Sequence, residues 1–364
     1  MRKRTHVRSA VVAGLLVLVL AVSGAASAAT STPYLPEPTG PHPVGTTSLY
    51  LKDTSRADPW VPSVKARELM VSLWYPAKSR GKQRAPYMTA KESELLLRSG
   101  DITNVPLDVL SKTRTDAYPD AAPAGRHLPL VVLSPGFNWP RSSLTSLAEE
   151  LASWGYLVAG IDHTYENAGM TFPGGRVVTC LACAQQDNPD FEKKVVEGRA
   201  RDVSFVLDEL TRRALVDRSR IAMVGMSMGG ASVGETMLAD PRVRAGADLD
   251  GTMFKDLPAS GLSRPFLLFG EDAADPSWDS NWSRLTGWKR RLAVTGAVHA
   301  SFTDYDVLTQ QIGVDLGSKL TGTRSVDITR AYVRAFVDQH LRGIPRRLLD
   351  RPSSRFPEVK LTGR

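Results

Sequence analysis

From His127 onward the apolar positions fall into a repeating order of buried strands and one-sided helices. "LPLVVLSPG" is a continuous apolar run of strand length. "SSLTSLAEELASWG" then places Leu144, Leu147, Ala148 and Leu151 on one helical face, with Gly155 as the stop. "YLVAGIDH" predicts a second buried strand, and "GRARDVSFVLDEL" a helix carrying Ala200, Val203, Leu207 and Leu210 at helical spacing. Strand "RIAMVGM", helix "GGASVGETMLAD" and strand "AGADLD" follow; "RPFLLFGED" and "RRLAVTGAVH" continue the strands. "DITRAYVRAFVDQHLRG" closes the series as a helix stopped by Gly343. Strands that alternate with helices and are apolar throughout predict an α/β fold, a mostly parallel central sheet covered by helices on both faces.

Upstream, "TTSLYLKD" and "ELMVSLWYPA" read as two further strands, the second ended by Pro76. Residues 91–125 hold a short helical pattern around "KESELLLRSG" and then a Pro/Ala/Gly loop, read as a lid or an inert insertion. The proline-rich stretch 29–45 predicts an extended leader over the surface. The catalytic domain is expected to span 46–345, with 346–364 as a C-terminal tail.

The amino terminus stands apart from this pattern. "MRKRTHVR" is a basic segment, "SAVVAGLLVLVLAVSG" an apolar core, and Ala26-Ser27-Ala28 a small-residue cleavage pattern, so residues 1–28 are expected to be a signal peptide and the protein to be secreted. Removing Arg2, Lys3, Arg4 and Arg8 with no acid lowers the formal charge from +8 to +4. The remaining basic residues are scattered without aromatic interleaving, which excludes a nucleic-acid partner and leaves at most transient contact with a lipid surface. Export also makes a local disulfide the expected state of the two cysteines, Cys180 and Cys183; zinc would need two more ligands within reach.

The chemistry concentrates at Gly225-Met226-Ser227-Met228-Gly229, between a buried strand and a helix. A sharp strand-to-helix turn there holds a serine in strained geometry with its hydroxyl exposed, and the flanking glycines allow a close backbone approach. Ser227 is thus the expected nucleophile. A serine hydroxyl needs a histidine to take its proton and an acid to orient that histidine, in the chain order serine, acid, histidine. Of the histidines after Ser227, His340 lies inside the last helix near its carboxyl end, where a cation suits the dipole. His299 sits in the loop after the last apolar strand and is the expected base. Spacing leaves the acid open between Asp250, at the end of one strand, and Asp272 or Asp275, at the end of the next; Asp248 lies deeper in the first of these strands. The oxyanion donors are expected to be the backbone N–H groups of Met228 and of Phe137 in "LSPGFNWP". Trp139, Phe254 and Trp278 are candidates to line the substrate pocket.

These stretches together resemble the α/β-hydrolases and, more narrowly, the platelet-activating factor acetylhydrolase family of the plasma and intracellular type II kinds. The resemblance runs from "VGTTSLYL" and "VSLWYPA" through "LVVLSPGF", "ELASWGYLVAGIDH" and "GMSMGGASVGETMLADPRVRAGADLDGTMF" to "GAVHASFTDY". It implies an α/β-hydrolase fold and a serine esterase without metal or organic cofactor. The family's acid precedes a Met-Phe pair, which "DLDGTMF" maps onto Asp250. Two features depart from the family, "SPGF" and "GMSMGG", and bring the chain toward actinobacterial lipases and cutinase-like polyester hydrolases. In those enzymes the acid follows the later strand, as Asp272 or Asp275 would; their Asp-x-x-Ala-Pro-Val tail is missing from "EDAADPSWDSNW". The resemblance therefore implies a secreted serine carboxylester hydrolase on short-chain or oxidised acyl esters, phospholipids included. A triacylglycerol lipase or polyesterase is the alternative, and a non-catalytic binding protein on the same fold is the rival from another class.

Overall fold

The computed structural model describes residues 32–364; the expected signal peptide, 1–28, and the start of the leader lie outside the described residues. In chain order the strands are β1 (Val44–Asp53), β2 (Arg67–Pro76), β3 (Ala117–Pro119), β4 (Leu128–Ser134), β5 (Leu157–His163), β6 (Met170–Thr171), β7 (Val177–Val178), β8 (Val216–Met226), β9 (Val243–Leu249), β10 (Phe266–Glu271), β11 (Lys289–Val294) and β12 (Val359–Gly363). The helices are α1 (Ala90–Ser99), α2 (Thr145–Ser153), α3 (Phe191–Leu210), α4 (Met228–Ala239), α5 (Pro276–Trp282), α6 (Tyr305–Gln311) and α7 (Arg324–Arg342). Ten strands form one sheet in the order β12-β11-β10-β9-β8-β4-β5-β2-β1-β3, and β6 with β7 makes a separate antiparallel pair. The middle of the sheet is parallel, from β5 through β4, β8, β9 and β10 to β11. β2 and β12 join it antiparallel. This is the mostly parallel, doubly covered sheet of an α/β-hydrolase.

The strands read as unbroken apolar runs because both faces are covered. In β4, Val131 and Leu133 face a cluster that holds Leu147 and Leu151 of α2 with Val333, Phe336 and Val337 of α7. Leu130 and Val132 face the opposite cluster, with Val203, Val206 and Leu207 of α3 and Val233 and Met237 of α4. Each such side chain withdrawn from water contributes about 1.5–3 kcal/mol before the entropy of ordering is subtracted.

The structure extends the sequence reading in three places. α3 starts at Phe191 rather than near Gly198, because Phe191, Val195 and Val196 prolong its buried face between charged residues. Residues 346–364 are more than a tail. Phe356 and Val359 are buried in the main core, and β12 pairs with β11 from Val294–Val359 to Arg291–Gly363. Within 91–125, Leu97, Val109 and Leu110 pack with Val307 and Leu308 of α6 in a satellite cluster, and α1 opens with a capping box between Thr89 and Glu92.

A buried carboxyl on α2 ties this layer to the sheet edge. Glu149 Oε1 accepts the Asp116 and Ala117 N–H groups, each at 2.9 Å, while Oε2 has no partner. Burial pushes Glu149 up to about 8, with the neighbouring charges of Asp116 and Asp304 adding to the shift and Arg330 opposing it. A carboxyl raised in the folded state contributes stability that is full below its ordinary value and is lost as pH rises through about 8. Glu149→Gln keeps the oxygen acceptor and removes the ionisation. Its melting temperature is therefore expected to match the parent near pH 4.5 and to exceed it by several degrees at pH 8–9, in thermal unfolding followed by circular dichroism. A constant difference across that range would contradict the assignment.

Candidate active site

Register decides where the site lies. Ser134 of β4 pairs with Gly225 of β8, and Gly225 with Asp248 of β9, so the loops after three adjacent parallel strands leave the sheet side by side. Ser227 stands in the turn from β8 to α4 with φ 55° and ψ −122°, a conformation that costs a residue with a Cβ about 1–3 kcal/mol. Its N–H is anchored on the Leu249 carbonyl at 2.8 Å, and its own carbonyl accepts the Ala231 N–H at 2.8 Å, starting the helix. The glycines around it have a steric reason. A Cβ on Gly225 would lie 2.0 Å from the Gly229 carbonyl oxygen, and one on Gly229 would lie 2.0 Å from that of Ser134. The turn is thus pressed against both the strand it leaves and the β4 loop.

Asp250 follows β9 in left-handed backbone, φ 56°. Its Oδ2 lies 2.6 Å from His299 Nδ1, and its Oδ1 accepts the Glu271 N–H at 2.9 Å. A carboxylate on Nδ1 fixes the imidazole tautomer and leaves Nε2 as the basic nitrogen. The His299 side chain is 48% exposed, so its free edge reaches solvent. Trp139 lies against it with ring centroids 5.9 Å apart and is itself backed by Tyr305 at 5.1 Å.

The other acids are engaged elsewhere. Asp272 accepts Lys360 Nζ at 2.6 Å and the Thr295 hydroxyl at 3.0 Å, and these partners hold it below the usual carboxylate range. Asp275 caps α5 through the Ser277 N–H at 2.7 Å and takes the Thr252 hydroxyl at 3.0 Å. Asp248 is fully buried, accepts the Gly251 N–H at 2.8 Å, and burial raises it far above the ordinary carboxyl value. Nor does His340 join the group: it packs edge-on against Trp288 with ring centroids 4.3 Å apart, and burial with the nearby Arg290 pushes it down to about 4. It is therefore a neutral packing residue, not the cation that its place near a helix carboxyl end suggested.

The β4 loop runs beside the serine. A Cβ on Gly136 would meet the Trp139 ring at 3.1 Å and Ser227 Cβ at 3.4 Å. Phe137 packs edge-on against Phe191 at 5.2 Å, and Phe191 lies 5.8 Å from Trp60. Met228, the first residue of α4, has an N–H without an intrahelical partner, and its side chain packs in the cluster that holds Phe191, Tyr165 and Trp60. Cys180 and Cys183 are joined as a disulfide, and Cys180 packs against that same cluster. The candidate pocket residues separate. Trp139 borders His299, and Phe254 is 40% exposed on the loop after Asp250. Trp278 is buried, its indole N–H bonded to the Gly251 carbonyl at 2.7 Å. It supports the Asp250 loop from within the core, since its apolar body fills the space beside Gly270. The sequence reading passed over Arg67, His163, Glu166, Arg199 and Asp202, which meet in the buried space behind the β4 loop. The available signal was two charged residues, Arg199 and Asp202, among the apolar positions of one helix face.

The steric account of the glycines is open to test by thermal unfolding. Gly229→Ala puts a methyl onto backbone that cannot yield and is expected to lower stability by more than about 3 kcal/mol or to prevent folding. Gly234→Ala, later in the same helix, meets the flexible end of Leu257 at 3.3 Å and is expected to change stability by less than about 1 kcal/mol. Equal effects at the two positions would refute it.

Comparisons with known proteins identify the family. The family model described as platelet-activating factor acetylhydrolase, isoform II, matches residues 27–179 and 188–342. A probable 1-alkyl-2-acetylglycerophosphocholine esterase of Arthroderma benhamiae is 28% identical, over 96% of this chain and 98% of that protein. Cutinase 1 of Thermobifida cellulosilytica is 27% identical over 58% of this chain and 70% of its own. Among solved structures, a ferulic acid esterase from Streptomyces cinnamoneus superposes with a TM-score of 0.84 at 43% identity, covering 92% of this chain and 100% of that one. The chain belongs to the platelet-activating factor acetylhydrolase isoform II family, a family of esterases with the α/β-hydrolase fold.

Proposed function

We propose that the protein is an exported serine carboxylester hydrolase that works through an acyl-enzyme on esters of small acids. The observation that carries this reading is the 2.6 Å contact of Asp250 with His299 Nδ1, beside a serine held at positive φ in a strand-to-helix turn. In the first half-reaction Ser227 Oγ attacks the ester carbonyl and His299 Nε2 takes its proton. Asp250 holds the ring and stabilises the imidazolium. The Phe137 and Met228 N–H groups receive the oxyanion, and each such donor is worth about 3 kcal/mol in the transition state. The imidazolium then gives its proton to the departing alcohol. Water repeats the sequence on the acyl-enzyme and frees the acid. These steps are complete with side chains and backbone N–H groups. The segment 1–28 supports export, and the acetylglycerophosphocholine esterase relative supports short acyl groups.

A second reading concerns the acyl half alone. Phe137 and Trp139, both part-exposed in the β4 loop, place aromatic surface beside Ser227 and His299 that suits an aromatic acid. The 43% identity with a ferulic acid esterase favours the same class.

Hydrolysis of p-nitrophenyl esters from acetate to palmitate, alongside methyl ferulate, by the chain from Ala29 decides between them. A peak at acetate to butyrate with poor ferulate turnover is the expected result; preference for methyl ferulate would establish the second reading, and preference for long chains would point to a lipase or polyesterase. Ser227→Ala and Asp250→Asn are expected to lower kcat by about a thousandfold or more, and Asp272→Asn by less than twofold. Covalent labelling by a fluorophosphonate, lost in Ser227→Ala, is expected of the acyl-enzyme mechanism. Full activity in Ser227→Ala would end the proposal.

A further inference from the structure

Behind the β4 loop lies a cluster of charges that the ester chemistry does not use. Arg199 of α3 and Arg67 of β2 are each 1% exposed, as are the side chains of Asp58 and Glu166, and the Asp202 side chain is fully buried. Arg67 bonds Asp58 and Asp202, both at 2.8 Å, and the Thr164 carbonyl at 2.7 Å. Asp202 Oδ2 holds His163 Nδ1 at 2.8 Å, and His163 Nε2 lies 3.0 Å from the Ser134 hydroxyl. A buried ion pair does not by itself stabilise a fold, because desolvation offsets its attraction. What it does supply is a set of rigid, directional donors and acceptors.

Arg199 and Glu166 aim that rigidity at one short piece of chain. Arg199 Nε bonds Glu166 Oε2 at 2.8 Å. Its Nη1 donates to the Pro135 carbonyl at 2.5 Å and reaches the Ser134 hydroxyl at 3.3 Å. The Glu166 backbone carbonyl accepts the Asn138 N–H at 2.8 Å, and Asn138 returns its carbonyl to the Ala168 N–H at 3.2 Å. Arg199 thus grips the loop at Pro135 through its guanidinium, and Glu166, whose side chain that guanidinium holds, grips it again at Asn138 through its backbone carbonyl, on either side of Phe137. From the opposite side the amino end of α4 presses on the same segment, since a Cβ on Gly229 would meet the Pro135 carbonyl oxygen at 2.8 Å. The intervening peptides have little freedom left.

We infer that the Arg199–Glu166 pair is a positioning device for the oxyanion site, holding the Phe137 N–H where charge develops on the substrate oxygen. This rests on the function proposed above and adds a residue pair to it. Neither side chain touches substrate. Their effect is on the transition state, because an oxyanion donor misplaced by a fraction of an ångström still admits the flat ester but no longer meets the tetrahedral oxygen.

The test uses the chain from Ala29 carrying Arg199→Met with Glu166→Gln, which removes both charges together; Glu166 Oε1 accepts the Trp60 indole N–H at 2.9 Å, and the glutamine retains an oxygen for that bond. Arg199→Lys is the milder variant, retaining the charge and losing the planar fork. With p-nitrophenyl acetate, kcat is expected to fall 10- to 100-fold in the double variant and 3- to 10-fold in Arg199→Lys, with KM within threefold of the parent. The inhibition constant of butylboronic acid, whose serine adduct is tetrahedral, is expected to weaken by the same factor as kcat/KM. A purely structural role would lower the melting temperature and leave both quantities unchanged in the folded protein. A folded double variant, or a folded Arg199→Lys should the double variant fail to fold, overturns the inference if its kcat is within twofold of the parent or its boronate affinity is unchanged. Activity that survives Ser227→Ala would instead overturn the acyl-enzyme reading on which it rests.

Discussion

The site depends on how closely three backbones approach at the carboxyl edge of the sheet. Gly229 in the first turn of α4 lies against the Ser134 and Pro135 carbonyls, and Gly225 lies under Gly229. A side chain at either position would push the serine turn away from the β4 loop. Because the strands are parallel and share register through Ser134, Gly225 and Asp248, that contact also sets the distance from the serine to the Asp250 loop. The positive φ of Ser227 and Asp250 is held in place by the Leu249 and Phe269 carbonyls, which accept their N–H groups at 2.8 and 3.0 Å. Parallel pairing, glycine at two points and strained backbone at two others are one constraint seen from different sides.

Electrostatics around the site follows from the same layout. The four aspartates the sequence set beside the site, Asp248, Asp250, Asp272 and Asp275, are sorted by their surroundings. Asp248 is enclosed beneath the turn, where an ionised carboxylate has too few donors, so it stays protonated well above the ordinary range. Asp272 faces outward to a lysine and Asp275 is spent on a helix cap. Asp250 alone of these four meets a histidine. Behind the β4 loop the sorting is by pairing instead: Asp202 is driven down chiefly by Arg67, against the cost of its burial, and burial lowers His163 so that it stays neutral between Ser134 and Asp202.

The family and its neighbours fit this picture at two levels. What the comparisons show in common is the fold and the esterase family: the family model covers most of the chain, and the ferulic acid esterase superposes over 92% of it. The sequence left the acid open between the loop after β9 and the loop after β10, and the carboxylates of the two loops reach different partners. Asp250 carries the imidazole, while the strand that could have supplied Asp272 turns it toward Lys360 of β12. β12 lies at the end of a short, charged stretch that gave no periodic signal, so its Lys360 could not be matched to Asp272 from the sequence.

Local chemistry decided much about this protein. Continuous apolar runs require burial on both faces, so β4, β5, β8, β9 and β10 were legible as interior parallel strands. Glycine on both sides of a serine between strand and helix named the turn, and chain order with loop position singled out His299. Three things needed the tertiary structure, because each is a meeting of residues far apart in the chain. Which carboxylate meets the His299 imidazole turned on contacts across the sheet, Asp250 and His299 being 49 positions apart in the chain and Asp272 and Lys360 88 apart. Trp278 was assigned to the pocket because an aromatic near a strand end looks the same in sequence whether it faces solvent or core. The paired charges behind the β4 loop were hidden for the most basic reason. A charged residue on an apolar helix face reads as an exception until the opposite charge that allows its burial, on another strand and another loop, is brought within 3 Å by the fold.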